Sequence, residues 1–390
     1  MIRTRLRLLS LSRAGTCIAA MAYAGALPYL RAAWGMDAAT AGSVQSVYNF
    51  SVAIALLVGS WAADRVGAKR VFLISSWAAV AAAALMALFA RSHDSALVLI
   101  ALVGVTQGGA YTPALMLVAE LVPPDRRGRA MGLLLAAGST GYLLSVFGSL
   151  GGAALLDYRW GLGLCALGPL VGAAAGTLAL KSHPNVVHGR KTGGTDGLMS
   201  TFLAPVSLLL TLGYVAHAWE VLGLWAWMPA FLAATLTDLG LGPLGLGLLV
   251  AAAVHLSGVV ATLAMGHASD RWGRRAVLVA AALFSGLLSS ALGWSAAWHP
   301  LAALAIACLA SFAAYGDSGV LSTAMTEAVP ARHLGTVLAL RSILGFGAGA
   351  VSPLAFGAVL DHTGQWGWSF AALGVGGLVA VSAALALPRR

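Results

Sequence analysis

The sequence predicts an all-α polytopic membrane protein, and its composition and hydrophobic pattern carry that prediction. Of 390 residues, 59% are hydrophobic and 9% charged, with a mean hydropathy of +0.87. A soluble globular chain has about a quarter charged residues. The apolar stretches are continuous and do not alternate at every second position, which excludes a transmembrane β-barrel. At about 30 residues per span and connection, the length accommodates about a dozen spans and no sizeable soluble domain.

Twelve stretches are long and apolar enough to be spanning helices. They cover residues 14–33, 39–62, 71–90, 95–119, 130–153, 162–181, 203–233, 243–266, 276–295, 300–325, 335–358 and 367–387. Residues 182–201 are the longest polar segment and are predicted to be a flexible cytoplasmic linker. The predicted domains are an N-terminal six-helix bundle at 1–181 and a C-terminal six-helix bundle at 202–390.

The basic residues mark the membrane topology. Of 23 Lys and Arg residues, 19 lie at the termini or in every second connection, and Arg13 is counted with the N-terminal group. By the positive-inside rule both termini are cytoplasmic, which requires an even number of spans. The net charge of +10 is scattered between apolar runs, so no nucleic-acid partner is expected.

The two halves repeat one plan, because an offset of about 200 residues brings separate landmarks into register. The aligned landmarks are Asp64-Arg65-Val-Gly67 with Asp270-Arg271-Trp-Gly273, and Glu120-Leu-Val-Pro with Glu327-Ala-Val-Pro. The N-terminal arginines and the apolar run after them are also typical of a cleavable signal peptide, but the repeat requires the first span.

These loops resemble the loop signature of the major facilitator superfamily of secondary transporters. The second copy reads Gly266-His-Ala-Ser-Asp270-Arg271-Trp-Gly273-Arg274-Arg275, and the first has Ser60 where the family usually has Gly. The resemblance covers the whole chain and implies that family's fold, with twelve transmembrane helices in two six-helix bundles. It also implies a conformational latch that holds the cytoplasmic side closed. The residues assigned to this latch are Asp64, Arg65, Gly67, Lys69, Glu120, Arg129, Gly266, Asp270, Arg271, Gly273 and Arg274.

The chemistry of the loop supports such a latch. The Gly allows helices to approach closely, the Asp accepts hydrogen bonds at the next helix's N-terminus, and the basic residues reach acidic groups or lipid phosphate. Alternatively, the basic residues only set topology. The fourth span has Gln107-Gly108 but Gly104 where the family's drug exporters carry Arg, which makes a multidrug antiporter the less favoured subclass.

Ionisable residues inside predicted spans are costly, so each one is a functional candidate. His217 and Glu220 lie on one face of the seventh span, and His255 lies in the eighth. A buried carboxylate beside an imidazole is chemically suited to exchange protons, and we assign these three residues to proton coupling. A neutral Glu220 that only stabilises packing is the alternative.

Substrate recognition is assigned to polar residues at membrane depth. Asp317 and Arg341 either form a structural ion pair, or Arg341 is free to bind an anionic substrate group. The full set assigned to substrate binding is Arg341, Asp317, Tyr315, Tyr23, Gln45, Asn49, Gln107, Tyr111 and Trp225.

These observations predict a monomeric secondary transporter of the cell (inner) membrane that moves a small solute by alternating access. Proton-coupled transport of a small organic anion is favoured, and proton-coupled efflux of drugs or amphipathic metabolites is the alternative. A remote alternative is an intramembrane metalloenzyme that uses the histidines and Glu220, but His-x-x-Glu lacks the second His of a zinc-protease helix. We expect no cofactor and no metal, and the absence of a nucleotide-binding loop argues against ATP drive.

Overall fold

The computed structural model is all-α and describes residues 2–123, 127–187 and 197–388, without the side chains of residues 127–129, 263, 331, 332 and 335. Its helices are α1 (Ile2–Cys17), α2 (Ala22–Trp34), α3 (Ala38–Val66), α4 (Ala68–Phe89), α5 (His93–Leu121), α6 (Arg127–Leu155), α7 (Tyr158–Leu180), α8 (Leu198–Phe202), α9 (Pro205–Leu236), α10 (Gly242–Ala251), α11 (Ser257–Trp272), α12 (Arg274–Ser295), α13 (Pro300–Ala328), α14 (Ala331–Thr363) and α15 (Trp366–Ala386). A π-helical turn, Ala252–Leu256, separates α10 from α11.

Among the described residues, eleven helical stretches are long and apolar enough to cross a membrane, one fewer than the sequence predicts. The difference lies in the first predicted span, 14–33, which is divided into α1 and α2 with a break at Ile18–Met21. Side chains from other helices hold this break open. Gln107 Nε2 donates to the carbonyl of Thr16, and Ser145 Oγ accepts from the amide of Met21 at 3.1 Å.

The chain divides into two compact units. The first unit comprises Met1–Met36, Val47–Arg190 and Gly240–His255, and the second comprises Asp37–Ser46, Lys191–Leu239 and Leu256–Arg390. The start of the predicted linker therefore packs with the first unit, whereas residues 188–196 of that linker lie outside the described part of the chain.

Small residues let the helices of each unit pack closely. In the first unit, a Cβ atom on Gly15 of α1 would lie 2.7 Å from the amide nitrogen of Gly172 on α7. In the second unit, a Cβ atom on Gly377 of α15 would overlap the backbone of Gly286 on α12. Such contacts replace the hydrophobic driving force that helices lack inside a bilayer.

Candidate functional site

A buried carboxylate and a buried imidazole meet in the second unit. α9 supplies His217 and α13 supplies Asp317, each from the interior of its helix. His217 Nδ1 lies 2.6 Å from Asp317 Oδ1, and the two side chains are 10% and 7% exposed. At this distance a protonated imidazole and an ionised carboxylate form an ion pair, so a change in the protonation of either group changes the contact.

Arg341 of α14 lies against the same helix, one turn before His217. Its guanidinium carbon is 4.1 Å from the centroid of the Tyr214 ring, and its Nη2 donates to Ser322 Oγ at 3.2 Å. The Nε and Nη1 atoms of Arg341 are buried and have no hydrogen-bond partner among the described residues. Asp317 pairs with His217, and no ion pair between Asp317 and Arg341 is found among the described residues, so the geometry favours an Arg341 without a carboxylate partner over the ion pair that the sequence left open.

A glycine makes room for this arrangement. A Cβ atom on Gly345, one helical turn after Arg341, would lie 2.5 Å from Tyr214 Cε1. The bare backbone at this position therefore lets the Tyr214 ring lie flat beneath the guanidinium. The sequence pattern of α14 contains several glycines, and nothing in that pattern distinguishes this one.

Glu220 faces a different neighbour from His217. Its Oε1 accepts hydrogen bonds from Ser285 Oγ and Ser289 Oγ of α12, both at 2.6 Å. Glu220 is 3% exposed, and these two donors satisfy its Oε1. Glu220 and His217 therefore lie on one helix but contact different helices, and the predicted grouping of Glu220 with His217 is not one contact network.

His255, the third residue assigned to proton coupling, belongs to the first unit. It lies in the π-helical turn, it is 1% exposed, and its ring centroid is 5.8 Å from that of Tyr142. The structure thus places His255 in a cluster of the first unit and His217 in a cluster of the second. π-Helical turns inside longer helices are frequent at functional sites.

The neutral residues assigned to substrate binding are distributed over both units. In the first unit Tyr23 and Asn49 are buried, Gln107 donates to the backbone of the helix break, and Tyr111 lies beside Arg13. In the second unit Gln45 is buried, and the rings of Trp225 and Tyr315 are 5.6 Å apart. The Gln45 Oε1 and Asn49 Nδ2 atoms have no hydrogen-bond partner among the described residues.

Sequence reasoning missed Arg13, which it counted as a topology marker of the N-terminus. The structure places Arg13 inside the first unit at 9% exposure, next to Tyr111 and Tyr142. One signal was available. Arg13 is separated from Arg7 by five residues without charge and directly precedes the predicted first span.

The loop motif of the second unit forms a charge network. Arg274 Nη1 lies 2.5 Å from Asp270 Oδ1, and Arg274 Nη2 lies 3.0 Å from Glu327 Oε1. Gly273 has a φ of +85°, which favours glycine at the start of α12. Arg271 is exposed. Close helix approach is not observed at Gly266, because a Cβ atom there would meet no other atom of the described residues within 4 Å.

The corresponding loop of the first unit is held by the start of the predicted linker. Lys69 Nζ donates to the carbonyl of His183 at 2.6 Å, and His183 Nε2 lies 2.8 Å from Glu120 Oε2. The amide of Arg70 at the start of α4 donates to Asn185 Oδ1, so Asn185 makes the contact that we expected of Asp64.

The other latch residues of the first unit have varied surroundings. Gly67 has a φ of +95°, and Asp64 is exposed. The Arg65 guanidinium lies 3.9 Å from the ring of Trp61. The side chain of Arg129 lies outside the described residues.

No group of three or more His, Cys, Asp and Glu side chains in the described part of the chain is placed to hold a metal ion. His217 and Glu220 contact separate partners, as described above.

Comparison with known proteins identifies the family. The model of the family described as Major Facilitator Superfamily matches residues 9–236 and 210–390. No curated protein matches the chain significantly.

Many solved structures share the fold. A peptide transporter POT in complex with sulfate is 15% identical, with a TM-score of 0.78 over 97% of this chain and 94% of that chain. A mutant of the nucleoside transporter NupG is 14% identical, with a TM-score of 0.79 over 98% and 99%. A bacterial homologue of the human lysosomal transporter Spinster, in an inward-facing and unoccupied conformation, is 16% identical, with a TM-score of 0.74 over 98% and 95%. At these identities the likeness concerns the fold.

Proposed function

The chain belongs to the major facilitator superfamily, and from that premise we propose that it is a proton-coupled transporter of a small organic anion. It is a multi-pass membrane protein and a secondary transporter, not an enzyme. One observation carries the finer proposal. In the second unit, Arg341 with two unpartnered nitrogen atoms and the buried contact between His217 and Asp317 lie against the same helix, α9.

Arg341 supports an anionic substrate because a buried guanidinium needs an acceptor. Each buried donor without a partner costs about 1–3 kcal/mol, and Nε and Nη1 are two such atoms. A carboxylate or another oxyanion would satisfy them, and the planar guanidinium matches that geometry. Both atoms are buried in this structure, so the substrate reaches them through the helix movements of alternating access.

The contact between His217 and Asp317 supports proton coupling. Protonation of Asp317 would remove the negative charge opposite the imidazole, and deprotonation would restore it. Tyr214 connects this pair to Arg341, because its ring lies beneath the guanidinium and 5.8 Å from the ring of His217. A proton taken up by the pair would therefore change the field at the anion-binding guanidinium.

Glu220 has a secondary role in this proposal. Because Ser285 and Ser289 satisfy its Oε1, Glu220 is held in place by α12. We assign it to adjusting the charge near His217. His255 lies in the first unit, beside Tyr142, and is separate from this pair.

We also propose twelve membrane crossings with both termini cytoplasmic. α1 and α2 together would form the first span, interrupted at Ile18–Met21. A C-terminal reporter that is active only in the cytoplasm would test this topology, and an external C-terminus would contradict it.

The first experiment measures anion binding. Ligand binding raises thermal stability by mass action, so purified protein is heated with a panel of carboxylates, organic cations and amphipathic drugs. We expect carboxylates to stabilise the unmodified protein and to lose that effect in Arg341→Gln. Arg159→Gln, which removes an exposed positive charge, is the matched control. Stabilisation by cations or drugs alone, unchanged in Arg341→Gln, would contradict the proposal and favour efflux.

The second experiment measures proton movement in proteoliposomes with a pH-sensitive dye inside. We expect a stabilising carboxylate to drive proton movement in the unmodified protein, and its direction separates symport from antiport. Asp317→Asn should abolish this coupled movement while anion exchange continues. Asp238→Asn removes an exposed carboxylate just after α9 and is the control. An unchanged proton-to-anion ratio in Asp317→Asn would contradict the role of Asp317.

A further inference from the structure

Arg13 is a buried cation of the first unit, one turn before α1 ends at Cys17. It is 9% exposed, its guanidinium carbon lies 4.9 Å from the centroid of the Tyr111 ring, and its Nη2 donates to the Tyr142 hydroxyl over 3.4 Å. Both partners come from other helices, α5 and α6. Among the described residues these contacts are one ring face and one long hydrogen bond, whereas a guanidinium has five N–H donors.

Within the described part of the chain, Arg13 has no counter-ion. The polar groups that face it are the Cys17 thiol and the hydroxyls of Tyr48, Tyr111 and Tyr142, and the His255 ring lies 5.8 Å from that of Tyr142. Among the described residues, no carboxylate lies within 4 Å of Arg13. A buried charge without a counter-ion is costly, and charged residues at membrane depth usually have a partner or face water.

The break in the first span is a second, independent feature beside Arg13. The first span breaks at Ile18–Met21, one turn after Arg13. Non-helical backbone at membrane depth persists where it is buried in protein or lines a cavity, and interrupted helices commonly form solute sites. Tertiary contacts hold this break open, because Gln107 and Ser145 bond to its backbone from α5 and α6.

The neighbouring helix is shaped to receive the guanidinium. A Cβ atom on Gly138 of α6 would lie 3.2 Å from Arg13 Nε, and one on Gly141 would lie 2.6 Å from the Cβ atom of Cys17. Both glycines therefore bring α6 close to the last turn of α1. The resulting surroundings combine one positive charge with three tyrosine rings.

We infer that Arg13 forms a second anion-recognition site, in the first unit, for an organic oxyanion attached to an aromatic body. The guanidinium binds the oxyanion, and the rings of Tyr48, Tyr111 and Tyr142 contact the aromatic body. The inference rests on the proposed function for the identity of the anion as a transported solute. It adds the class of that solute and a recognition residue outside the second unit.

The test measures binding of benzoate, phenylacetate and cyclohexanecarboxylate to the purified full-length chain, with benzamide as the neutral analogue. Arg13→Gln should weaken benzoate binding at least about 10-fold, as expected for a lost charge-assisted pair, and should leave benzamide binding unchanged. Arg7→Gln removes an exposed arginine from the same helix and is the control, with binding within about twofold of the unmodified protein. A purely structural role for Arg13 would weaken acid and amide binding equally and would overturn the site.

A second variant covers loss of folding in Arg13→Gln. Gly138→Ala retains the positive charge but presses a methyl group on Arg13 Nε, and it should weaken benzoate binding more than benzamide binding. The aromatic preference is tested with Tyr111→Leu, which should remove the discrimination between benzoate and cyclohexanecarboxylate. Unchanged benzoate binding in a folded Arg13→Gln protein, or in Gly138→Ala when Arg13→Gln does not fold, would overturn the inference.

The outcomes separate this inference from the proposed function. Benzoate binding lost in Arg341→Gln but retained in Arg13→Gln would overturn the Arg13 site alone. Benzoate binding lost in Arg13→Gln but retained in Arg341→Gln would support the Arg13 site. If cyclohexanecarboxylate binding were also retained in Arg341→Gln, the role of Arg341 would be contradicted. Absence of carboxylate binding by the unmodified protein would overturn both.

Discussion

The substitution Gly345→Ala tests the arrangement of Tyr214 and Arg341 without changing a charge. The added Cβ atom would lie 2.5 Å from Tyr214 Cε1 and 2.6 Å from Cδ1. Ordinary carbon contacts are about 3.5–4.0 Å, so the ring must shift by about 1 Å or rotate. The ring would then leave its position 4.1 Å from the Arg341 guanidinium.

The size of the effect follows from the cation–π contact. Such contacts contribute about 0.5–2 kcal/mol. Because the ring holds the guanidinium in position for the anion, its loss would weaken binding by at most about 2–30-fold. We therefore expect Gly345→Ala to weaken carboxylate binding by about that factor. The free energy of unfolding should change less than this, because alanine is favoured over glycine inside a helix by about 1 kcal/mol and offsets part of the cost of the displaced ring.

The assay is carboxylate binding by thermal stabilisation or direct titration of purified protein. The control is Gly347→Ala on the same helix, where no atom of the described residues lies within 4 Å of the added Cβ. It should leave binding within about twofold of the unmodified protein. In a double-mutant cycle, Gly345→Ala should have no further effect once Tyr214→Ala has removed the ring. Equal binding by the Gly345 and Gly347 variants would refute the reasoning.

Three further predictions concern packing and the linker. Ser289→Ala should lower the free energy of unfolding by about 1–3 kcal/mol, because Glu220 loses a buried hydrogen-bond donor. Thermal or denaturant unfolding measures this, and an unchanged free energy would mean that water, not Ser289, satisfies Glu220. Gly377→Ala should lower the free energy of unfolding by about 1–3 kcal/mol because its Cβ atom overlaps backbone. Gly319→Ala meets no atom of the described residues within 4 Å and should not, and equal unfolding curves would contradict the close helix crossing. Asn185→Ala should speed proteolysis of the 182–201 segment because it loses its hydrogen bonds to the α3 and α4 backbone, and an unchanged cleavage rate would contradict that anchoring.

The membrane class, the repeat and the motif loops could be predicted from the sequence because each depends on local composition or on spacing. The loop glycines are an example. Gly67 and Gly273 both have a positive φ in the structure, and the sequence had already aligned them across the two halves. The break in the first span had no such local signal, because side chains distant in sequence, Gln107 and Ser145, hold it open.

The contacts between side chains in the candidate sites could not be predicted from the sequence. Helical periodicity identified His217, Glu220, Asp317 and Arg341 as ionisable residues at membrane depth. It fixes which face of a helix a side chain occupies but not which helix packs against that face. For that reason the sequence left the partner of Asp317 open, and the structure shows that it is His217.

By itself, then, the sequence determined a polytopic helical protein with two related halves, since the cost of burying polar groups in lipid leaves few other options. The tertiary structure decided which buried charges have protein partners and which do not. Packing brings Asp317 to His217 and two serines to Glu220, while Arg13 and Arg341 lie against tyrosine rings without a carboxylate within 4 Å among the described residues. Those contacts depend on side chains far apart in the chain, so only the fold could reveal them.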